Sequence, residues 1–322
     1  MASIIKGLCK TFIAVPILLG SVYSQSLAEQ APTEQADLSP VEFITEPSEL
    51  SQNTPGKVNP SPPTTTTVPT ISVPTISTSR PSFTDAVTTV PQGSLQAESG
   101  ATFTDNRGGT YTWTVPETLL RLGLLNNTEF RFTTPTYIYT GSAHHGQLTS
   151  NFGDISVGMS QHLIAPGKVD VALIPILNIP TGANNVSSNS VDPQFRLVLG
   201  KYWTKKWFMS SHLDTRWNTG KDAAAHVVMN PTFINYYSLT EKLTGFLEYS
   251  GFYPTTGKTT QYLQSGMLFV PTPRQQFDAR IAVGLNHNSP NILVGFGYSF
   301  RMDGLFGASR DFSSFKRPIS TH

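Results

Sequence analysis

Three pairs of opposite charges lie two residues apart in stretches of this sequence that are otherwise apolar. The pairs are Glu129 with Arg131, Asp214 with Arg216, and Asp278 with Arg280. Rings of charged side chains inside a membrane channel select among ions and polar solutes. The same groups can instead form a satisfied network of salt bridges and hydrogen bonds that fills a narrow barrel. Both interpretations are open from the sequence, and the nearly balanced signs predict no ion selectivity.

Two histidines come closest to an enzymatic pattern. A lipid-acting barrel enzyme needs a nucleophilic serine with a base in hydrogen-bond reach, and His162 and His212 are the candidate bases. No serine signature accompanies them, and "AHHG" at 143–146 is more typical of solvated loop histidines than of a metal site. No phosphate-binding loop or dinucleotide fingerprint appears. We expect no catalytic residue, no metal site and no cofactor, with the lipid-acting enzyme as a minor alternative.

A two-residue alternation of side chains runs almost unbroken through residues 94–300 and must position these charges. Strands of ten or more residues exceed the five or six typical of soluble sheets and match a tilted transmembrane strand. The alternation predicts an all-β fold of twelve antiparallel strands, at about 94–104, 110–125, 128–140, 153–164, 168–180, 193–203, 206–218, 226–238, 242–253, 259–271, 274–286 and 291–301.

The predicted connections alternate between short and long. Tight turns such as "NN" at 126–127 and "PTP" at 271–273 alternate with polar connections such as 141–152 and 181–192. An up-and-down outer-membrane barrel has short periplasmic turns, longer outer loops and an even number of strands. A Greek-key sandwich would not predict such alternation. The sequence therefore predicts an up-and-down transmembrane β-barrel with both termini in the periplasm.

Sorting each predicted strand by parity separates an apolar face from a polar face. Ile155 and Val157 oppose Ser156, for example, and the parity slips near Pro116 as a β-bulge would produce. The polar faces favour Gly, Ser, Thr and Asn, which suits a crowded interior better than a water-exposed surface. The charged residues expected to project into the lumen, and so to line a solute pathway, are Arg121, Glu129, Arg131, Asp154, Asp170, Arg196, Asp214, Arg216, Glu248, Asp278 and Arg280.

Aromatic side chains lie near the ends of several predicted strands. Trp203 and Trp207 flank one tight turn, Trp217 precedes a long connection, and Tyr298 and Phe300 close the last strand. Girdles of aromatic side chains mark the two interfaces of a membrane barrel. As a set, these residues favour membrane insertion.

The chain before the barrel divides into two parts. Residues 1–28 combine a basic start, an apolar stretch at 12–19 and a small-residue cleavage site that ends at Ala28, which is the pattern of a secretory signal. The only cysteine, Cys9, lies within it, so the mature chain would hold no disulfide and no zinc–thiolate site. Residues 29–92 are rich in Pro, Thr and Ser, which predicts a disordered segment that serves as a spacer, a binding tail or a merely solvated leader.

The sequence also resembles a known family. The stretches "GDISVGMSQHLI", "LIPILNIPTG", "YYSLTEKLTGFLEY" and "FDARIAVGLNHNSPNILVGFGYSFRM" resemble, in order and spacing, Gram-negative outer-membrane transporter-like barrels described by a MetA pathway of phenol degradation. The resemblance covers most of residues 93–302 and implies a barrel of about twelve strands. It also implies a role in the passage of small molecules, aromatic ones included. Residues 303–322 depart from barrels that end on the terminal aromatic and would form a C-terminal periplasmic extension.

Together these features predict an outer-membrane transporter or channel for small solutes, aromatic or hydrophobic ones among them. The alternative is a structural or surface-interaction barrel whose lumen is plugged. We expect the partners to be outer-membrane lipid, an unidentified solute and the barrel-assembly machinery. A net charge of +1 argues against nucleic acid.

Overall fold

The computed structural model describes residues 73–165, 169–220 and 226–306. Within these residues the chain forms one antiparallel sheet of fifteen strand segments. No helix in this part of the chain is long and apolar enough to cross a membrane. The segments are β1 (Leu95–Asn106), β2 (Thr110–Val115), β3 (Leu119–Leu125), β4 (Thr128–Thr133), β5 (Tyr137–Ser142), β6 (Gly146–Phe152), β7 (Ile155–Ala165), β8 (Val169–Ile179), β9 (Asp192–Tyr202), β10 (Trp207–Asn218), β11 (His226–Ser238), β12 (Leu243–Pro254), β13 (Thr260–Thr272), β14 (Gln275–Gly284) and β15 (Ile292–Met302).

The sheet closes on itself as a barrel of twelve strands, as the alternation predicts. β15 pairs with β1 over its whole length, from Leu95 opposite Met302 to Asp105 opposite Ile292. Three barrel strands are interrupted, so β2 with β3, β4 with β5, and β6 with β7 each make one crossing. The first interruption contains Pro116, which has no N–H for the ladder. This break explains the change of parity in the second strand.

The connections divide the barrel into two different ends. Tight turns join β3 to β4, β9 to β10, β11 to β12 and β13 to β14. Leu95, where β1 begins, and Met302, where β15 ends, lie at the same end of the barrel as these turns. We call this the turn end. The longer connections, including residues 180–191 between β8 and β9, lie at the other end, which we call the loop end. The predicted difference in connection length holds for residues 180–191. The long connection predicted at 141–152 is wrong, because these residues pair with one another as the hairpin of β5 and β6 and leave only a three-residue turn at 143–145.

The outside of the barrel is apolar and the inside is polar. On β14, Phe277, Ile281 and Val283 are 44–49% exposed, whereas Asp278 between them on the chain is 5% exposed. The same outward exposure of large apolar side chains recurs on all sides, with Trp203, Trp207 and Trp217 among them. Exposing such a surface to water would be unfavourable. An apolar exterior around a polar interior is the arrangement found in transmembrane barrels.

Residues 73–92, which we call the lumen segment, have a defined irregular conformation inside the barrel. None of these residues is classed as exposed, and Ile76, Thr84 and Val90 are almost completely buried. The prediction of disorder from residue 29 to residue 92 is therefore wrong for this last part. Residues 29–72, the predicted signal at 1–28 and residues 307–322 of the predicted C-terminal extension lie outside the described residues. The reason is that backbone groups along the segment find hydrogen-bond partners on the barrel wall, such as Glu98, Glu129 and Glu248.

The lumen segment enters and leaves the barrel at the turn end. The Ile76 N–H donates to the carbonyl oxygen of Pro273 (2.7 Å), in the turn between β13 and β14. At the other end of the segment, the Gly93 N–H donates to the carbonyl oxygen of Gly123 (2.8 Å) on β3. Between these points the chain rises towards the middle of the barrel and returns.

Candidate functional site

Arg121 on β3 organises the part of the lumen nearest the turn end. Its guanidinium is fully buried and pairs with Glu98 on β1 (2.9 Å) and Glu129 on β4 (2.8 Å). It also donates to the carbonyl oxygens of Ser77 (2.8 Å) and Thr88 (2.7 Å) in the lumen segment. One wall arginine thus connects two wall carboxylates with both the entering and the returning chain.

Arg80 is the cation that the lumen segment itself brings into the barrel. It donates to Glu117 at 2.7 Å and lies 3.6 Å from Asp278. A methyl group on Gly100 or Gly297 would collide with its guanidinium. The glycines on this part of the polar face therefore make room for an arginine of the lumen segment.

Glu248 on β12 accepts hydrogen bonds from the backbone of the lumen segment. The N–H groups of Phe83 (3.0 Å) and Thr84 (2.7 Å) both point to its carboxylate. The hydroxyl groups of Thr84 and Thr232 on β11 are 2.6 Å apart. Glu248 has no ion pair among the described residues. Its carboxylate is instead stabilised by these hydrogen-bond donors.

Asp85 is the anion that the lumen segment brings into the barrel. Its carboxylate pairs with Arg131 on β4 (2.7 Å) and with Arg196 on β9. The Asp85 N–H donates to Nδ1 of His212 on β10 (3.3 Å). His212 is 3% exposed inside the lumen, so it does not face the lipid side that the enzyme alternative requires.

Apolar contacts accompany this polar network. Val87 of the lumen segment packs in a small buried cluster with Ala172 and Ile174 of β8 and Val198 of β9. Phe83 contacts the rings of Phe252 (6.0 Å) and Tyr262 (5.6 Å) on the opposite side of the barrel. The segment therefore contacts the barrel wall on opposite sides of the lumen.

The structure brings together nine of the eleven charged residues that the sequence places in the lumen. Asp154 lies elsewhere, because it falls between β6 and β7, where the strand alternation does not apply. Its carboxylate accepts from the N–H groups of Gly182 (2.9 Å) and Ser188 (3.0 Å) in a loop-end connection. Asp170 pairs with His162 (2.9 Å) near the turn end and is not among the contacts of the lumen segment. Those that line the occupied lumen are Arg121, Glu129, Arg131, Arg196, Asp214, Arg216, Glu248, Asp278 and Arg280.

Four charged residues of the site are missing from the sequence-based set. Glu98 shares the polar parity of β1 with Gln96, and this signal was available in the sequence. Arg80 and Asp85 are the only charged residues between Lys57 and Glu98, which sets them apart from the surrounding Pro/Thr-rich chain. Glu117 lies in the break between β2 and β3, so no alternation could place it.

A cavity of about 220 Å³ remains on the loop-end side of Asp85. Asp85 and three arginines, Arg131, Arg196 and Arg216, line it together with polar side chains of β4 and β7 to β9. Leu119 is one of its few apolar lining residues. The lumen is thus filled on the turn-end side and retains free volume on the loop-end side.

A second ionic cluster holds the lumen segment where it enters the barrel. Arg301 donates to the carbonyl oxygen of Pro74 (2.7 Å) and pairs with Asp303 (2.7 Å), which also pairs with Arg274 (2.7 Å). Burial alone would raise the pKa of Asp303, but hydrogen bonds from Arg301 and Arg274 outweigh burial and hold the pKa below its ordinary value. Asp303 is therefore ionised at neutral pH and fixes the position of Arg301.

Comparisons with known structures agree with the barrel. An outer membrane channel from Pseudomonas putida F1 superposes with a TM-score of 0.56 at 14% identity, over 67% of this chain and 98% of that chain. At that identity the likeness concerns the fold. The NanC porin has a TM-score of 0.46 at 11% identity, over 65% of this chain and 100% of that chain. The CymD monoaromatic hydrocarbon channel has a TM-score of 0.42 at 8% identity, over 67% and 90%. TM-scores below 0.5 add nothing to the fold assignment.

The sequence comparison identifies the family. No curated protein sequence matches the chain significantly. The model of the family described as "Putative MetA-pathway of phenol degradation" matches residues 78–302, which include the barrel and most of the lumen segment. The chain therefore belongs to this family.

Proposed function

We propose that this protein is an outer-membrane channel for small solutes, aromatic or hydrophobic ones among them, and that the lumen segment closes it. The solute class rests on the description of the family, which names phenol degradation. Passage requires that residues 73–92 leave or shift within the barrel. Without them the lumen would be lined by the polar faces of twelve strands.

One observation carries this proposal. The lumen is wide enough to hold a separate stretch of chain, whereas a small barrel that serves only as a scaffold is filled by its own wall side chains. At several contacts the wall carries a small residue that leaves room for the segment, such as Gly123 and Thr232. A lumen of this width is expected of a barrel through which a solute passes.

The proposed orientation places the turn end, and with it both chain termini, in the periplasm. Short turns of bacterial barrels face the periplasm and longer loops face outward. The apolar exterior would contact outer-membrane lipid, and insertion would require the barrel-assembly machinery. We propose no catalytic role, because among the described residues the ring nitrogens of His212 bond to Asp85 and Asn230 and Nε2 of His162 bonds to Asp170, and none of these bonds is to a serine.

The alternative is a structural or surface-interaction barrel whose lumen stays filled. The observation that favours it is the number of buried ion pairs between segment and wall, since breaking one such pair is costly. The two functions differ in whether residues 73–92 can move while the barrel stays folded.

A reversible crosslink between segment and wall tests this. The Thr84 and Thr232 hydroxyl oxygens are 2.6 Å apart, so the double substitution Thr84→Cys with Thr232→Cys should form a disulfide. The only natural cysteine, Cys9, lies in the predicted signal and would not compete. Ion conductance in planar bilayers and osmotic swelling of liposomes in a small neutral sugar are measured before and after reduction.

We expect the wild-type barrel and the reduced double variant to conduct, and the oxidised double variant to be closed. The Thr84→Cys and Thr232→Cys single variants, with and without oxidant, are the matched controls. Equal conductance of the oxidised and reduced forms would contradict closure by the lumen segment. If no form conducts or swells, the channel proposal fails in favour of the filled structural barrel.

A further inference from the structure

We propose that the cavity on the loop-end side of Asp85 binds the carboxylate group of a small organic acid. The inference rests on the proposed function and names the chemistry of a solute that would dwell in the pathway. It is carried by the arginines of the cavity, by the carboxylates near them and by the size of the remaining space.

The charge of the lining is positive. Three guanidinium groups, of Arg131, Arg196 and Arg216, share the cavity with a single carboxylate, that of Asp85. Asp85 is already bound by Arg131 and Arg196. Its charge therefore balances only part of the cationic charge around the cavity.

Arg131 has hydrogen-bonding capacity left over. Its side chain is only 5% exposed, and one of its terminal nitrogens, Nη2, donates to Ser79 and Asp85. The other, Nη1, is buried without a hydrogen-bond partner in the described part of the chain. An unpartnered buried donor costs free energy, and an oxygen of a bound anion would satisfy it.

Arg216 on β10 is the least engaged of the three arginines. Among the described residues it makes one hydrogen bond, to Oε1 of Gln194, which is long at 3.4 Å. Arg216 forms no ion pair with a carboxylate in the residues that the structure describes. The side chain of Arg216 is also exposed, so it is accessible to a ligand.

The carboxylates nearest to Arg216 are engaged by other groups. Asp214 accepts from Gln194 (2.6 Å) and lies 3.2 Å from Nε of Arg196. Asp192 accepts from the N–H of Thr219 (2.8 Å) and from Ser190 (2.8 Å). Neither acid forms a salt bridge with Arg216 in the part of the chain that the structure describes.

The size and polarity of the cavity fit a small acid. A cavity of roughly 150 Å³ is large enough to hold benzene, and this cavity measures about 220 Å³. Leu119 and Ile176 offer apolar lining for a carbon skeleton. Arginine is the side chain best suited to planar carboxylates, which it binds through two parallel hydrogen bonds.

Binding of benzoate to the full-length protein in detergent tests the proposal, with benzamide as the neutral probe of the same shape. Isothermal titration calorimetry measures both affinities for the wild type, for Arg216→Gln and for the control Lys258→Gln, which removes an exposed cation from the connection between β12 and β13. We expect wild type to bind benzoate about tenfold more tightly than benzamide. Arg216→Gln should lose about that factor for benzoate alone, and Lys258→Gln should match wild type.

Two outcomes would overturn the carboxylate site. The first is that the wild type binds benzoate no more tightly than benzamide, a comparison that needs no variant to fold. The second is that Arg216→Gln, with its heat-modifiable migration intact, keeps the wild-type affinity for benzoate. Because binding does not require an open channel, either result leaves the conductance test untouched. Tight benzoate binding by a protein that does not conduct in any form would instead contradict the channel proposal and support the carboxylate site.

Discussion

At the scale of single residues, Arg121 shows how charge is accommodated in this barrel. It is completely buried, and its five donors are directed to two carboxylates and two backbone carbonyl groups. Removing one partner of a buried ion pair is costly because the other charge stays buried and uncompensated. The arginine therefore stabilises the wall and the lumen segment together.

Replacing this arginine should weaken the whole fold. We expect Arg121→Met to lower the free energy of unfolding by about 3 kcal/mol, because Glu98 and Glu129 would lose their main cation. Urea unfolding in detergent micelles, followed by the heat-modifiable shift in gel migration, measures the change. The control is Arg274→Gln, whose side chain is 49% exposed and whose ion pair should contribute at most about 1 kcal/mol. Equal losses for the two variants would contradict this role for Arg121.

The sequence predicted the charged lumen residues better than it predicted their partners. Asp278 and Arg280 were expected to face the lumen and do so, but they bind Arg80, Pro81 and Thr102 rather than each other. Alternation fixes the face on which a side chain lies, since strand geometry is periodic. It contains no information on which distant residue occupies the space opposite.

At the scale of elements, the fit between the lumen segment and the wall depends on small residues in the strands. Gly123 of β3 is the clearest case, because the returning chain passes directly over it at Pro91. Glycine in a strand often marks such a close approach of another backbone. The wall is thus shaped for the segment as well as for lipid.

Adding one methyl group at this contact should displace the returning chain. A Cβ atom at Gly123 would collide with the backbone carbonyl of Pro91, and overpacking of this kind costs about 1–3 kcal/mol. Gly245 on β12 is the matched control, since the nearest atom to its added Cβ is 3.8 Å away. We expect Gly123→Ala, and not Gly245→Ala, to lower the urea midpoint and to increase open-channel time in bilayers. Identical behaviour of the two variants would argue against tight packing at Pro91.

The sequence did not predict the lumen segment as an element, and the reason is physical. Its Pro, Thr and Ser content is typical of disorder, because it cannot form a core or a ladder of its own. Its order comes from distant partners, such as Glu248, which lies 164 residues from Thr84. The strands, by contrast, carry their two faces in local alternation, and so their number and closure could be predicted.

At the scale of the whole molecule, stability should depend on pH through the cluster at the turn end. Asp303 binds a proton less readily in the folded protein than in the unfolded chain, because Arg301 and Arg274 stabilise its carboxylate. Its contribution is therefore complete at neutral pH, begins to decline near the ordinary aspartate pKa of about 4, and is lost as the pH falls through the lower folded pKa.

A substitution at this position isolates that contribution. We expect Asp303→Asn to be less stable than wild type at pH 7, and the difference to shrink as the pH is lowered from about 5 to about 2. Urea unfolding at a series of pH values measures it, with Asp105→Asn at the loop end as control. A difference that stays constant with pH would show that the charge of Asp303 is not the cause.

Entry and exit of the lumen segment at the same end have a mechanical consequence. Because Pro74 and Gly93 both lie at the turn end, the segment is a loop inserted from one side, and no chain end has to be threaded through the barrel. A pull on the chain before residue 73 would break the contacts one after another, starting with Arg301, rather than all at once. Sequential rupture needs far less force than simultaneous rupture. The buried ion pairs of Arg80 and Asp85 with the wall would therefore resist withdrawal of the lumen segment one after another when the pull acts from the turn end.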